Sequence, residues 1–315
     1  MPALDATLEL GELELELGGT LPAAALAYRT HGELNRDRTN AILFPHMYSG
    51  TPSSLDAWIG TGRALDPERW FIICPGQLGN GISSSPSTTA GAFPQATIGD
   101  DVAAQHRLVS ERLRIERLEL VLGFSMGAQQ AYEWAVRFPR MVARLAVFAG
   151  LARTTPANDL LVSASADALR AGGTEQHARF WAATGLSPEL YRVEGWREAG
   201  FESVSDLVAR LFVEDLAPLA PADLLFQLAK WRLADVSRHT GGDLAVALRR
   251  ITARTIVTAF SHDGWFPAPD VRAEQRLIRG SSWRTLHSLW GHYAWGITSA
   301  EEARIEQVIR EALAT

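Results

Sequence analysis

At 315 residues and 47% hydrophobic, the chain can bury a large core, and it is long for a single domain without an insertion. Its 30 basic and 36 acidic residues leave a net charge of −6, and no Lys/Arg cluster interleaves with aromatics, which argues against a nucleic-acid partner. The one cysteine, Cys74, excludes an intrachain disulfide or a cysteine-based metal site, and no run approaches 18 apolar residues.

Met1 to Leu17 interleaves Glu with Leu and lacks the basic and apolar regions of a signal peptide, so a cytoplasmic protein with no membrane contact is expected. Thr7 to Leu17 alternates apolar and acidic residues, Gly18-Gly19 follows, and a second extended run covers Leu21 to Tyr28. This pattern predicts an antiparallel hairpin at a sheet edge. Short apolar runs then recur at Ala41 to Pro45, Phe71 to Cys74, Leu118 to Leu122, Leu145 to Ala149, Thr255 to Ala259 and Arg284 to Leu289. Cys74 reads as a small hydrophobe at a strand end. Helical spacing covers Asp100 to Leu113 and Ser125 to Arg137. Strands alternating with helices predict an α/β fold with a mostly parallel, doubly wound sheet. The rhythm breaks between Leu151 and about Arg250, where Ala/Leu/Arg-rich helical sequence carries no core strand. The expected organisation is a core of residues 1–150 and 251–315 with a helical cap inserted over 151–250.

The chemistry concentrates on Gly123-Phe124-Ser125-Met126-Gly127, a G-x-S-x-G segment between a buried strand and a helix. That is the context of a nucleophile elbow, in which a sharp turn pushes the serine hydroxyl outward and leaves no room for neighbouring side chains. A serine hydroxyl is a poor nucleophile at neutral pH, so it needs a histidine to take its proton and a carboxylate to hold that histidine. In chain order the acid and then the base should follow the serine, each in a loop after a late strand. Asp263, after Thr255 to Ala259, and His292, after the last strand, meet that requirement. His262 precedes the acid, His287 falls within a strand pattern, His106 lies on a helix, and Asp270 begins a helix whose dipole it complements. Two N–H donors must also face the developing oxyanion, each worth roughly 3 to 4 kcal/mol. Met126 supplies one, and the loop His46-Met47-Tyr48-Ser49-Gly50 supplies the other, with Tyr48 favoured over Met47 and His46 bracing the turn.

The chain resembles the homoserine O-acetyltransferase family of the α/β-hydrolase superfamily, nearly end to end. The resemblance rests on LAYRTHGELN, HMYSG, GNGISSSPS, TIGDDVAAQHRLVSERLRIERLELVLGFSMGAQQAYEWA, LLFQLAKWRLADVS, ALRRITART and SLWGHYAWG. It implies an α/β-hydrolase fold with a helical cap, a triad at Ser125, Asp263 and His292, oxyanion donors at Tyr48 and Met126, a covalent acyl-enzyme and a homodimer. Members that acetylate homoserine carry an arginine that grips the substrate carboxylate. Arg179 is the nearest candidate here for that anchor, and the segment after the sixth strand offers no clear equivalent. Trp265 and Trp295, beside the acid and the base, instead suggest an apolar substrate site.

The expected function is a serine hydrolase acting on a small-molecule carboxylic ester or thioester, with no cofactor and no metal required. The alternative is an O-acyltransferase that takes acetyl-CoA or another acyl-CoA as co-substrate. A binding module without catalysis is the third reading, and the complete elbow, acid and base argue against it.

Overall fold

The computed structural model describes residues 3–314. Eight strands form one sheet: β1 (Leu4–Glu14), β2 (Thr20–His31), β3 (Ala41–Leu43), β4 (Phe71–Pro75), β5 (Leu120–Phe124), β6 (Arg144–Phe148), β7 (Arg254–Phe260) and β8 (Ser282–Leu286). Their spatial order is β1-β2-β4-β3-β5-β6-β7-β8. The β1–β2 hairpin is antiparallel and adds antiparallel to β4, while β4, β3, β5, β6, β7 and β8 run parallel. The predicted edge hairpin and parallel sheet are both present. Strands β3 to β6 are almost entirely buried, as a sheet covered on both faces requires, and they therefore read as unbroken apolar runs.

Boundaries moved where local chemistry overrides apolar content. The third strand stops at Leu43, close before Pro45, which has no N–H for a ladder. The last ends at Leu286 rather than Leu289, because the Ser288 hydroxyl accepts from Trp290 N–H and turns the chain out of the sheet. The strand before the serine runs two residues further than predicted, through Gly123 and Phe124, and delivers the turn directly to Ser125.

Helices α1 (Ile98–Arg107) and α2 (Met126–Arg137) connect core strands. A reciprocal Thr97/Asp100 capping box starts α1. Between β6 and β7 the chain is helical, with α3 (Pro156–Gly185), α4 (Pro188–Arg192), α5 (Val204–Val208), α6 (Glu214–Leu216), α7 (Pro221–Arg232) and α8 (Leu244–Arg249). Gly172 and Gly173 leave helical geometry and kink α3. Helix α9 (Ala268–Gln275) follows β7, and α10 (Ser299–Leu313) ends the chain. Among the described residues no helix is long and apolar enough to cross a membrane.

Helix α7 is locked to the core by a fully buried ion pair, in which Lys230 Nζ donates to Asp101 Oδ2 (2.6 Å) and to Leu78 O (2.7 Å). Asp101 Oδ1 also accepts from Leu78 N–H at 2.8 Å, so α1, α7 and the loop after β4 converge on one charge pair. Burial pushes the Asp101 carboxyl up to about 6 and pulls the Lys230 ammonium down, against their mutual attraction.

Candidate active site

Strand β5 ends in a turn too tight for side chains. A Cβ on Gly123 would stand 2.2 Å from the Gly127 backbone, and one on Gly127 would stand 2.4 Å from Pro45 O. Between them Ser125 is held at φ 53°, a left-handed conformation that costs a non-glycine residue about 1–3 kcal/mol. Its N–H donates to Phe148 O on β6 at 3.0 Å, anchoring the turn to the sheet.

The hydroxyl of Ser125 donates to His292 Nε2 at 2.9 Å, and His292 Nδ1–H donates to Asp263 Oδ2 at 2.8 Å. All three residues are buried. The other Asp263 oxygen accepts from the N–H groups of Trp265 (2.8 Å) and Phe266 (3.0 Å), which fixes the orientation of the carboxylate. His292 sits on a one-turn helix after Gly291, whose φ of 57° and 2.5 Å clearance to Gly185 O admit no Cβ. In this order of contacts an imidazole can take the hydroxyl proton while the carboxylate stabilises the resulting cation.

The other titratable candidates lie elsewhere. His262 turns its ring to Ser288 O and Ser261, and His287 is exposed. His106 stacks on Phe138 with ring centroids 4.0 Å apart, and Asp270 occupies the first turn of α9.

The loop after β3 lies against the start of α2. The Met126 N–H has no intrahelical acceptor at this position, and among the described residues the Met47 and Tyr48 N–H groups find none either. The loop itself is held by buried polar side chains. His46 Nδ1–H donates to Met47 O (2.8 Å), Asn80 Nδ2 donates to His46 Nε2 (3.2 Å), and Gln77 and Gln130 amides donate to His46 O. Burial pulls the His46 imidazole down to about 4, so it braces the loop in its neutral form. Behind it, Trp134 Nε1–H donates to Gln105, whose amide donates to Gln130.

Around Ser125 a cavity of about 70 Å³ is walled by Met47, Tyr48, Phe124, Phe260, Leu216, Trp181, Tyr293 and Trp295, with Asp215 also on its wall. This is about half the size of an engineered cavity that accepts benzene. Trp295 is therefore in the lining. Trp265 is not: it lies one layer behind, stacked on Trp181 at 4.0 Å and 3°, and reaches the site through its backbone bond to Asp263. Trp181 in turn stacks on Tyr48 at 5.7 Å and 13°. Buried His177 fixes this stack, because Trp181 Nε1–H donates to His177 Nε2 while His177 Nδ1–H donates to Ser165 O. Acceptance at Nε2 requires the neutral imidazole, in keeping with a pKa pulled down to about 4 by burial.

Arg179 is on the outer face of α3, exposed and paired with Glu175 at 2.7 Å. The reason is helical geometry: His177 and Trp181, two residues to either side, face inward, so the residue between them faces away. No arginine or lysine is among the residues that line the cavity.

Residues 40–212 match the family profile described as alpha/beta hydrolase fold. The chain is 44% identical to the ethyl acetate hydrolase of Pseudomonas veronii, over 93% of this chain and 90% of that protein. It is 30% identical to the homoserine O-acetyltransferase of Thermobifida fusca, over 98% and 93% of the two chains. The crystal structure of an acetylester hydrolase from Corynebacterium glutamicum superposes with a TM-score of 0.96 at 40% identity, covering 99% of this chain and 96% of that one. The chain belongs to the α/β-hydrolase family, within the group that contains these esterases and the more distant homoserine O-acetyltransferases, and it is an ester hydrolase.

Proposed function

We propose that this α/β hydrolase cleaves acetyl and similarly short acyl esters of small neutral alcohols through an acyl enzyme on Ser125. The observation that carries this reading is the continuous Ser125–His292–Asp263 hydrogen-bond chain opening into a small, mostly apolar cavity. His292 takes the Ser125 proton as Oγ attacks the ester carbonyl. The Met126 and Tyr48 N–H groups hold the oxyanion, and His292 returns the proton to the departing alcohol. Water, deprotonated by His292, then attacks the acyl-serine, and as the second tetrahedral intermediate collapses His292 returns that proton to Ser125 Oγ, releasing the carboxylic acid. Every proton and charge in this sequence is handled by the chain itself, so no cofactor or metal is needed. Residues 151–250 act as a cap over a core of 1–150 and 251–315, and Trp181, Asp215 and Leu216 are its contributions to the cavity wall. The composition supports a cytoplasmic location, to be tested by fractionation of the source cells.

The names of the esterase relatives point to acetate esters, and the cavity volume agrees, since it leaves little room beyond a short acyl chain. Transfer to homoserine is the less supported reading, because that acceptor carries a carboxylate and the cavity wall offers an aspartate instead of a cation. The test is a series of ethyl esters of increasing acyl length, assayed with and without homoserine and with acetyl-CoA as an alternative donor. The expected result is kcat/KM highest at acetate or propionate, falling with each further methylene and indifferent to homoserine. A maximum at octanoate or longer, or CoA release that requires homoserine, would refute the reading.

A further inference from the structure

Asp215 carries the one side-chain carboxylate on the wall of the cavity, and the mechanism leaves it without a task. It sits on α6 beside Leu216, and lines the same cavity as Ser125 and His292. The triad's own carboxylate, Asp263, is on the far side of the imidazole, and its charge is spent on His292 Nδ1–H and two backbone N–H groups. Asp215 has no such compensation. Among the described residues no Lys, Arg or His forms an ion pair with it, and none of the cavity's other lining residues is a lysine or arginine. The residue is exposed to solvent overall, yet the protein packed around its carboxyl raises its pKa above the ordinary aspartate value, with no neighbouring cation to offset this. Its influence reaches the Tyr293 phenol, on the residue after His292, whose own pKa is raised first by burial and then by the Asp215 charge. An uncompensated negative charge on the wall of a largely apolar cavity acts on any second charge that enters.

Resting on the ester-hydrolase reading above, we propose that Asp215 is a charge filter: it selects against esters whose acyl or alcohol portion carries a negative charge. Neutral esters pass, whereas carboxylate- or phosphate-bearing ones meet like-charge repulsion next to the reacting carbonyl. Discrimination of this kind comes from a repulsive group aimed at the wrong substrate as much as from contacts to the right one. The acyl-transfer steps are unchanged, and Asp215 neither gives nor takes a proton.

The test uses a pair of acetate esters of nearly equal size, O-acetylglycolamide and O-acetylglycolate, one neutral and one anionic, at pH 8. The quantity read is the ratio of their kcat/KM values within each protein, so a general loss of activity in a variant cancels. The wild type should favour the amide, Asp215→Asn should shrink the ratio by about fivefold, and Asp215→Lys should shrink it further or invert it. In the wild type, added salt should narrow the ratio as the screening length falls from about 30 Å at 0.01 M to about 3 Å at 1 M, while Asp215→Asn should respond little. The salt series holds even if the lysine variant does not fold. Equal ratios in the wild type and Asp215→Asn, or a wild-type ratio that ignores salt, would overturn the filter while leaving ester hydrolysis intact. A wild type that cleaves neither ester would instead strike the ester-hydrolase reading itself and the filter with it.

Discussion

Ser125 combines two costs that only a function repays: a left-handed backbone at a non-glycine residue, and a hydroxyl turned toward a buried imidazole. The strain persists because Gly123 and Gly127 clear the space around it and Phe148 O holds its N–H. Asp263→Asn should lower kcat by about four orders of magnitude with the fold unchanged, since an amide favours the wrong imidazole tautomer. A stopped assay on a short acetate ester checks this, and loss below tenfold would contradict it. Trp181→Ala should deepen the cavity, move the preferred acyl length upward and cost about 3–5 kcal/mol in urea unfolding. An unmoved length optimum would show that Trp181 does not bound the acyl site. The sequence brought Ser125, Asp263 and His292 forward as one group, because each is tied to a strand end in a fixed chain order, and the structure places the three in contact. Arg179 was misplaced for lack of a helical phase: once His177 and Trp181 are known to face inward, its exposure follows. Trp265 was misread because proximity in sequence to Asp263 does not reveal which aromatic forms the wall and which stands behind it. Asp215 left no sequence signal at all, since one acidic residue among many in a helical stretch acquires meaning only from what folds opposite it.

The elements that carry the site are joined by contacts that the sequence does not advertise. Lys230 on α7 and Asp101 on α1 are each buried and meet at 2.6 Å, fastening the inserted helices to the core. Lys230→Ala should destabilise the protein by about 3–5 kcal/mol, because it leaves the Asp101 charge buried without a partner. Replacing both by apolar residues, Asp101→Leu with Lys230→Met, should recover most of that loss in chemical denaturation. If the single variant costs less than 1 kcal/mol, the pair is not what fastens α7. The edge hairpin, the parallel strands and the helical insertion were visible in period and composition. Strand ends were not, because Pro45 and Ser288 end ladders through a missing donor and a side-chain hydrogen bond rather than through a change in hydrophobicity. The amide relay from Trp134 through Gln105 and Gln130 to His46 O was equally hidden, since it joins residues that are far apart in the chain.

For the molecule as a whole, buried titratable groups set the pH range of stability. Glu274, on α9, accepts from the N–H groups of Ala152 and Arg153, yet burial pushes its carboxyl up to about 8 from an ordinary 4.5. An acid whose folded pKa is raised binds its proton more tightly in the native state. Its contribution is present in full below the unfolded pKa and is lost as pH rises toward about 8. His46 and His177 act with the opposite slope, because their depressed folded values near 4 make the native state lose stability as pH falls below about 6.5. Above pH 7 both histidines are neutral in either state, so Glu274 dominates. Stability should fall by about 1 kcal/mol between pH 7 and 8. Urea unfolding across that window checks it, and stability that rises with pH would contradict the assignment.

Ester hydrolysis by this chain turns on an acyl group on Ser125 that water removes. The direct measurement is rapid-quench mixing of the enzyme with ethyl acetate, following ethanol and acetate separately, with mass spectrometry of the quenched peptide that contains Ser125. The expected result is an acetyl adduct on Ser125 at early times, acetate release that homoserine does not alter, and neither product nor adduct in Ser125→Ala. Turnover without an adduct, or with the same rate in Ser125→Ala, would contradict it.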